Sequence, residues 1–145
     1  MFGLKQRNAD PRVKHRLDQL GIRYDVDGDG DYRVVFELEG DRSQMAFINS
    51  RTSALGDFEI REIWSVAHVS EEPLDGAMAN FLLLQNARLK MGAWELRHVD
   101  EGTFYVCFCT KVAADCAAEA LYASLVVVLK AADELEKELD TGDRF

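Results

Sequence analysis

The sequence contains few Pro, Cys and His, the residues that interrupt secondary structure, form disulfides or bind metals. Its 145 residues include two Pro, three Cys and three His, and its ten Gly are scattered without a low-complexity tract. Because no stretch has the composition of a linker, we expect residues 1–145 to form a single domain. The three Cys lack the spacing to the three His that a zinc site needs, and we interpret them as reduced core residues.

Basic residues and long apolar runs are also scarce. The chain has 17 Lys and Arg against 26 Asp and Glu, a formal net charge of −9. Such a field repels phosphate backbones, so we expect no nucleic-acid partner. The most apolar run, residues 117–129, contains Glu119 and is shorter than the ~20 residues of a membrane span. Residues 1–14 show no apolar signal segment, and we expect a cytoplasmic protein without membrane contact.

The sequence is rich in apolar residues at regular spacing, most clearly near its carboxyl end. No Gly or Pro interrupts the stretch from Asp115 to about Leu139. Apolar residues recur there at alternating intervals of four and three, at Leu121, Leu125, Val128, Ala132, Leu135 and Leu139. This spacing predicts one apolar stripe on a helix roughly 37 Å long. We expect the rest of the chain to pack against that helix.

Upstream patterns predict shorter elements. Asp10 and Pro11 favour the start of a first helix, which Gly21 can end, and Ser70 and Gly92 are expected to bound a second helix. Alternating apolar residues predict strands over residues 22–26, 32–38, 44–49, 57–68, 94–99 and 104–109. We therefore predict an α+β fold: helix, antiparallel strand meander, helix, two-stranded hairpin, and the long C-terminal helix packed on the sheet.

The last predicted strand is apolar on both faces, so both faces should be covered. One cover is the long helix, and the other is either the second helix or a second subunit.

An acidic turn offers the first candidate site. Asp25, Asp27 and Asp29 alternate before Gly30, as in the first half of a calcium-binding EF-hand loop. The twelfth position of such a loop needs a bidentate Glu, and here it is Phe36. We interpret the segment as a turn and keep metal binding by residues 25–31 as an alternative function.

A catalytic site is not evident. Cys107 could meet His98 across the predicted hairpin, but the sequence identifies no acid to orient the His. Phosphate-binding loops and serine-nucleophile motifs are absent from the sequence. We expect no enzyme activity, no catalytic residues and no cofactor.

Large aromatic residues are the candidates for partner binding. Trp is enriched at binding hot spots, and Trp64, Trp94 and Tyr105 fall on predicted strands. The alternative is that these rings belong to the core.

Residues 82–94, which include the end of the second predicted helix, resemble a stretch found in a known family. Residues 82–86 (LLLQN), then Leu89, then residues 92–94 (GAW) are similar to a stretch shared by YbjN-like proteins, also called bacterial sensory transduction regulators. Residues 20–24 (LGIRY) and 27–29 (DGD) resemble the end of that family's first helix and its first turn. The predicted element order is also similar to that of type III secretion chaperones.

The resemblance implies a small acidic bacterial protein that forms homodimers and acts by binding proteins, without catalytic residues. It implies structural roles for Asn86 and for Gly92, the latter as a helix C-cap. The first functional hypothesis is therefore a non-enzymatic regulatory or chaperone-like protein. The alternative is a type III secretion chaperone that holds a specific effector in a non-globular form.

Overall fold

The computed structural model describes residues 8–141, which form three helices and seven strands. The elements are α1 (Pro11–Leu20), β1 (Asp25–Val26), β2 (Tyr32–Leu38), β3 (Arg42–Ile48), β4 (Ser53–Leu55), β5 (Phe58–Ser70), α2 (Gly76–Asn86), β6 (Ala93–Asp100), β7 (Thr103–Ala113) and α3 (Ala118–Thr141). Among these residues, no helix combines the length and the apolarity that crossing a bilayer requires.

The strands form one antiparallel sheet in the order β1-β2-β3-β5-β7-β6, and β4 pairs with the first residues of β5. This topology confirms the predicted α+β fold. The predicted hairpin of β6 and β7 is present, but β7 lies next to β5 and β6 is an edge strand. The sequence did not predict β4, because three residues are too few to show an alternation.

All three helices contribute to a core on one face of the sheet. The predicted stripe of α3 is buried at five of its six positions, and Leu139 is half-buried. Val13 and Leu17 of α1 and Met78 and Leu82 of α2 join the same buried cluster. From the sheet the cluster takes residues of five strands, including Val34, Ala46, Ile48, Ile63, Trp94, Val106 and Phe108. The helices therefore share one face, and α3 packs against β3, β5 and β7.

A buried arginine fixes α1 to the sheet. The Asp10 carboxylate caps α1 by accepting from the backbone N–H of Arg12, and Gly21 ends the helix at φ +69°, as predicted. Arg61 is 2% exposed and donates at 2.6 Å to the Asp10 carboxylate. Burial alone would raise the pKa of Asp10, but hydrogen bonds from Arg12 and Arg61 hold it well below its usual range.

The second helix begins and ends at other residues than predicted. Ser70 still belongs to β5, where it pairs with Phe104, so α2 begins only at Gly76. Its N-cap is Asp75, whose carboxylate accepts from the Met78 N–H at 2.8 Å. The helix ends at Asn86, so the expectation that Gly92 caps it is wrong.

Gly92 instead allows a close approach of strands. Its φ is +82°, and a Cβ at this position would overlap the ring of Phe108 and lie 3.0 Å from the Cys109 carbonyl oxygen. Gly102, in the turn between β6 and β7, has nearly the same φ of +83° but open space around it. Gly92 is therefore required by packing as well as by its backbone angle.

We predict that Gly92→Ala destabilises the protein by about 1–3 kcal/mol more than Gly102→Ala, because only the first adds overpacking to backbone strain. Urea unfolding of both variants measures the difference, and Gly102→Ala isolates the cost of the positive φ. Equal losses of stability in the two variants would contradict this packing role.

Candidate functional site

The face of the sheet opposite the helices, here called the open face, is not covered by any element that residues 8–141 form. Val35 and Val69 are 52% and 54% exposed there, and Met45 is 38% exposed. The apolar side chains around the centre of this face are Val35, Met45, Phe47, Trp64, Val66, Val69 and Tyr105. Of the two covers expected for β7, α3 is present, but α2 packs on the same side as α3 and leaves the open face bare.

Trp64 lies at the centre of the open face and is held from three directions. Its ring stacks on Phe47, with centroids 4.5 Å apart and an interplanar angle of 21°. The Arg97 guanidinium carbon lies 4.4 Å from the ring centroid, and the indole N–H donates to the Asn49 side chain at 2.9 Å. A fixed aromatic ring loses little conformational freedom when a partner binds, which suits an anchor residue.

A ring of opposite charges borders Trp64. Arg97 lies 3.8 Å from Glu62 and 3.6 Å from Glu95, and Lys111 lies 3.7 Å from each of these carboxylates. The Cys109 thiol lies beneath these four charged side chains and accepts a hydrogen bond from Arg97 at 3.6 Å. Two acids and two bases compensate each other, so the ring adds a polar rim to the apolar face without adding net charge.

Glu62, Glu95 and Cys109 form the one group of three within the described residues whose ligand atoms lie close enough together to hold a metal ion. Arg97 and Lys111 already neutralise both carboxylates. Burial, with the neighbouring Glu95, raises the pKa of Cys109 to about 12, so the thiol keeps its proton near neutral pH. The donor set therefore fits a closed ion-pair network better than a metal centre.

The acidic turn uses its carboxylates internally. The Asp27 Oδ1 accepts from the backbone N–H of Asp29 at 2.9 Å and of Asp31 at 3.0 Å. Both oxygens of Asp25 accept from Arg33, at 2.9 and 2.7 Å. Asp25, Asp27 and Asp29 do not converge as a ligand group, and their arrangement is that of a capped turn.

The paired nucleophile that the sequence allowed does not form. Cys107 pairs with Val66 and Glu95 on the open face, whereas His98 lies on the helix side and stacks on Phe104 with centroids 4.6 Å apart. Burial also raises the pKa of Cys107 to about 11. A protonated thiol on the other face from its candidate base is not an activated nucleophile.

The three predicted partner-binding aromatics separate into two environments. Trp64 and Tyr105 lie on the open face, while Trp94 is 8% exposed and packs edge-on against Phe108 in the core. We therefore remove Trp94 from the candidate site. Phe47 also belongs to the candidate site, and only the register of β3 with β5, which local sequence does not reveal, places it beside Trp64.

A second apolar surface lies on α2. Leu83 and Leu84 are 66% and 68% exposed, and Leu83 borders a groove of about 180 Å³ between α2 and β6. At the end of α2, Asn86 accepts from the Trp94 N–H at 2.7 Å and donates to the Trp94 carbonyl at 3.2 Å. Asn86 thus occupies the edge of β6 at Trp94 as a neighbouring strand would.

Comparison with known proteins found no family model and no curated protein that matches this sequence. The YbjN-like resemblance therefore stays a prediction.

We predict that Cys107 and Cys109 react slowly with iodoacetamide at pH 8, because their raised pKa values keep them protonated and burial restricts access. In a Cys116→Ser variant, labelling of the native protein should be at least about 100-fold slower than labelling in urea. The native rate should rise as the pH approaches 11. Equal rates at pH 8 would contradict the burial and protonation of these thiols.

Proposed function

We propose that this chain is a non-enzymatic, YbjN-like regulatory or chaperone-like protein of the cytoplasm, which acts as a homodimer by binding another protein. The observation that carries the proposal is the open face, where apolar side chains surround a rigid Trp64 and no element of residues 8–141 covers them. Monomeric proteins rarely leave such an apolar face free of function. The net charge of −9 favours a protein partner over nucleic acid.

The open face also has the composition of a binding interface. An apolar centre around Trp64 and Phe47 is bordered by the compensated charges of Arg97 and Lys111. Interfaces combine such an apolar centre with a polar rim, and their energy is concentrated in a few aromatic and Arg anchors. Trp64 and Arg97 are the anchors that this arrangement supplies.

We predict that Trp64→Ala reduces the amount of specifically bound partner about tenfold or more, because it removes a central hot spot. Proteins retained from native lysate by the wild type and by the variant can be compared by quantitative mass spectrometry. Tyr122→Ala is the matched control, since Tyr122 is 47% exposed on α3, away from the open face.

Both variants must keep wild-type circular dichroism. Equal retention of every protein by wild type, Trp64→Ala and Tyr122→Ala would contradict binding through the open face.

For the homodimer, α2 is the surface that suits a second copy. Its eleven residues carry no charge, whereas the chain as a whole has a net charge of −9 that drives two copies apart. Leu83 and Leu84 project from it, and Gly76, Ala77 and Asn80 are small or neutral and exposed. Two such helices can approach closely without desolvating a charge.

The charges that flank α2 complement each other in an antiparallel pair. Glu71 and Glu72 precede the helix, Arg88 and Lys90 follow it, and all four are exposed. Packing α2 against the same helix of a second copy about a two-fold axis brings the acidic end of each to the basic end of the other.

We predict that Glu71→Lys with Glu72→Lys weakens the homodimer about tenfold, because like charges then meet at both ends. Arg88→Glu with Lys90→Glu should weaken it similarly, and an equimolar mixture of the two variants should form heterodimers. Light scattering and differential tagging measure both effects.

Asp57→Lys with Glu119→Lys is the control, since it reverses two exposed acids away from α2. A monomeric wild type, or variants that associate like the wild type with no preference for the heterodimer, would contradict this interface.

A further inference from the structure

The sheet forks between β3 and β5, and the gap between the two branches is here called the wedge. The two strands pair only over residues 46–48 and 63–65. Beyond this point β3 continues alongside β2 back to Arg42, while β5 continues alongside β7 to Ser70. The β3 residues 42–45 and the β5 residues 66–70 therefore diverge within an otherwise continuous sheet.

Side chains satisfy the first backbone groups that the fork frees. Ser65 Oγ donates to the Met45 carbonyl at 2.7 Å, and Gln44 Nε2 donates to the Val66 carbonyl at 2.8 Å. Gln44 also donates to Ser65 Oγ at 3.0 Å. The two contacts to carbonyls hold the fork open, because each of them replaces a backbone bond that the two strands would otherwise make with each other.

The next backbone groups of β3 point into the wedge without a neighbouring strand. The Asn49 N–H donates to the Glu62 carbonyl, so alternate residues of β3, counting back from Asn49, turn their backbone groups toward β5. Ser43 and Met45 belong to this set, and within the described chain no strand pairs with β3 on that side of them. The Met45 carbonyl accepts from Ser65 Oγ, so the groups without a strand partner are those of Ser43 and the N–H of Met45. An extended segment supplies the carbonyl and N–H groups that complete such an edge.

The wedge opens onto the open face as an apolar groove. The groove has a volume of about 300 Å³. Its lining is Gln44, Met45, Phe47, Trp64, Val66, Val69 and Tyr105. A space of this size and polarity accepts a large aliphatic or aromatic side chain, which Trp64 and Tyr105 would flank.

Acidic turns stand at the wide end of the wedge. Glu39 and Asp41 lie exposed in the turn that leads into β3. Asp100, the last residue of β6, and Glu101, in the turn that follows, are also exposed. Arg42 is the one base in these two described stretches, and it donates at 2.8 Å to Asp133 of α3. The mouth of the wedge therefore attracts positive charge.

We propose that the wedge binds an extended segment of a partner protein that carries a large apolar side chain followed by basic residues. The segment pairs antiparallel to β3 through the backbone groups of Ser43 and the N–H of Met45, and it inserts its apolar side chain between Trp64 and Tyr105. This direction places the carboxyl-terminal part of the segment at the acidic mouth, which fixes the order apolar then basic. The inference rests on the proposed protein-binding function and adds the chemistry and direction of the ligand.

The test uses three short labelled peptides and fluorescence anisotropy with the full chain. One peptide alternates Thr and Leu around a central Phe and ends in three Lys, the second carries the Lys at its amino end, and the third ends in three Asp. We expect the first to bind at least about fivefold more tightly than the others, because only its charges meet the acidic mouth.

Matched variants locate the site. Val69→Asn, within the groove, should weaken binding of the first peptide about fivefold or more, while Val35→Asn, equally exposed on the open face but outside the groove, should not. Glu39→Gln with Asp41→Asn should reduce the preference for Lys, and Asp57→Asn with Glu119→Gln should leave it unchanged.

Absence of binding, equal binding of the three peptides, or equal effects of Val69→Asn and Val35→Asn would overturn the proposal. Failure of this proposal can be distinguished from failure of the proposed function. If partner retention still depends on Trp64 while the peptides fail these criteria, the wedge is not the ligand site, but the open face remains the binding surface.

Discussion

The fold depends on burial of one apolar stripe of α3 against one face of the sheet. Leu125, Val128 and Ala132 are fully buried there, and α1 and α2 complete the same layer. Since all three helices lie on one side, they and one face of the sheet form the core cluster, and the opposite face takes no part in it. The apolar residues of that second face are therefore not needed to close the core, which leaves them available for the binding that we propose.

Charged and polar side chains border the exposed apolar residues of the sheet. The ion pairs of Arg97 and Lys111 with Glu62 and Glu95 cover the thiols of β7 and place a polar border beside Trp64. At the edge of the sheet, Asn86 occupies the backbone groups of Trp94 and limits unspecific strand pairing. Apolar surface is exposed at the wedge and on α2, as well as at Leu55, Phe58, Leu96 and Val99.

Local signals in the sequence were sufficient for much of the fold. Asp10, Pro11 and Gly21 act within one helix end, and the α3 stripe follows from helical periodicity alone, so these predictions needed no tertiary information. The predicted start of α2 was wrong, because Ser70 is a residue type that can cap a helix but in the structure belongs to β5 and pairs with Phe104. The pairing of β5 with β7 was also not predicted, because it joins residues that are far apart in the sequence.

The candidate site was only partly predictable for the same reason. Trp64 and Trp94 look equivalent in sequence, but strand register places one on the open face and the other in the core. The wedge depends on Gln44 and Ser65, whose polar side chains gave no signal as isolated residues. Only the divergence of two strands gives those hydrogen bonds a role.

Hydroxyl-radical footprinting of Trp64 and Met45, first in the isolated protein and then in a complex purified from its native source, tests directly whether the open face binds a partner. If the open face binds a partner, both side chains should be oxidised readily in the isolated protein and strongly protected in the complex. Strong protection in the isolated protein, or unchanged oxidation in the complex, would contradict an open face that serves to bind a partner.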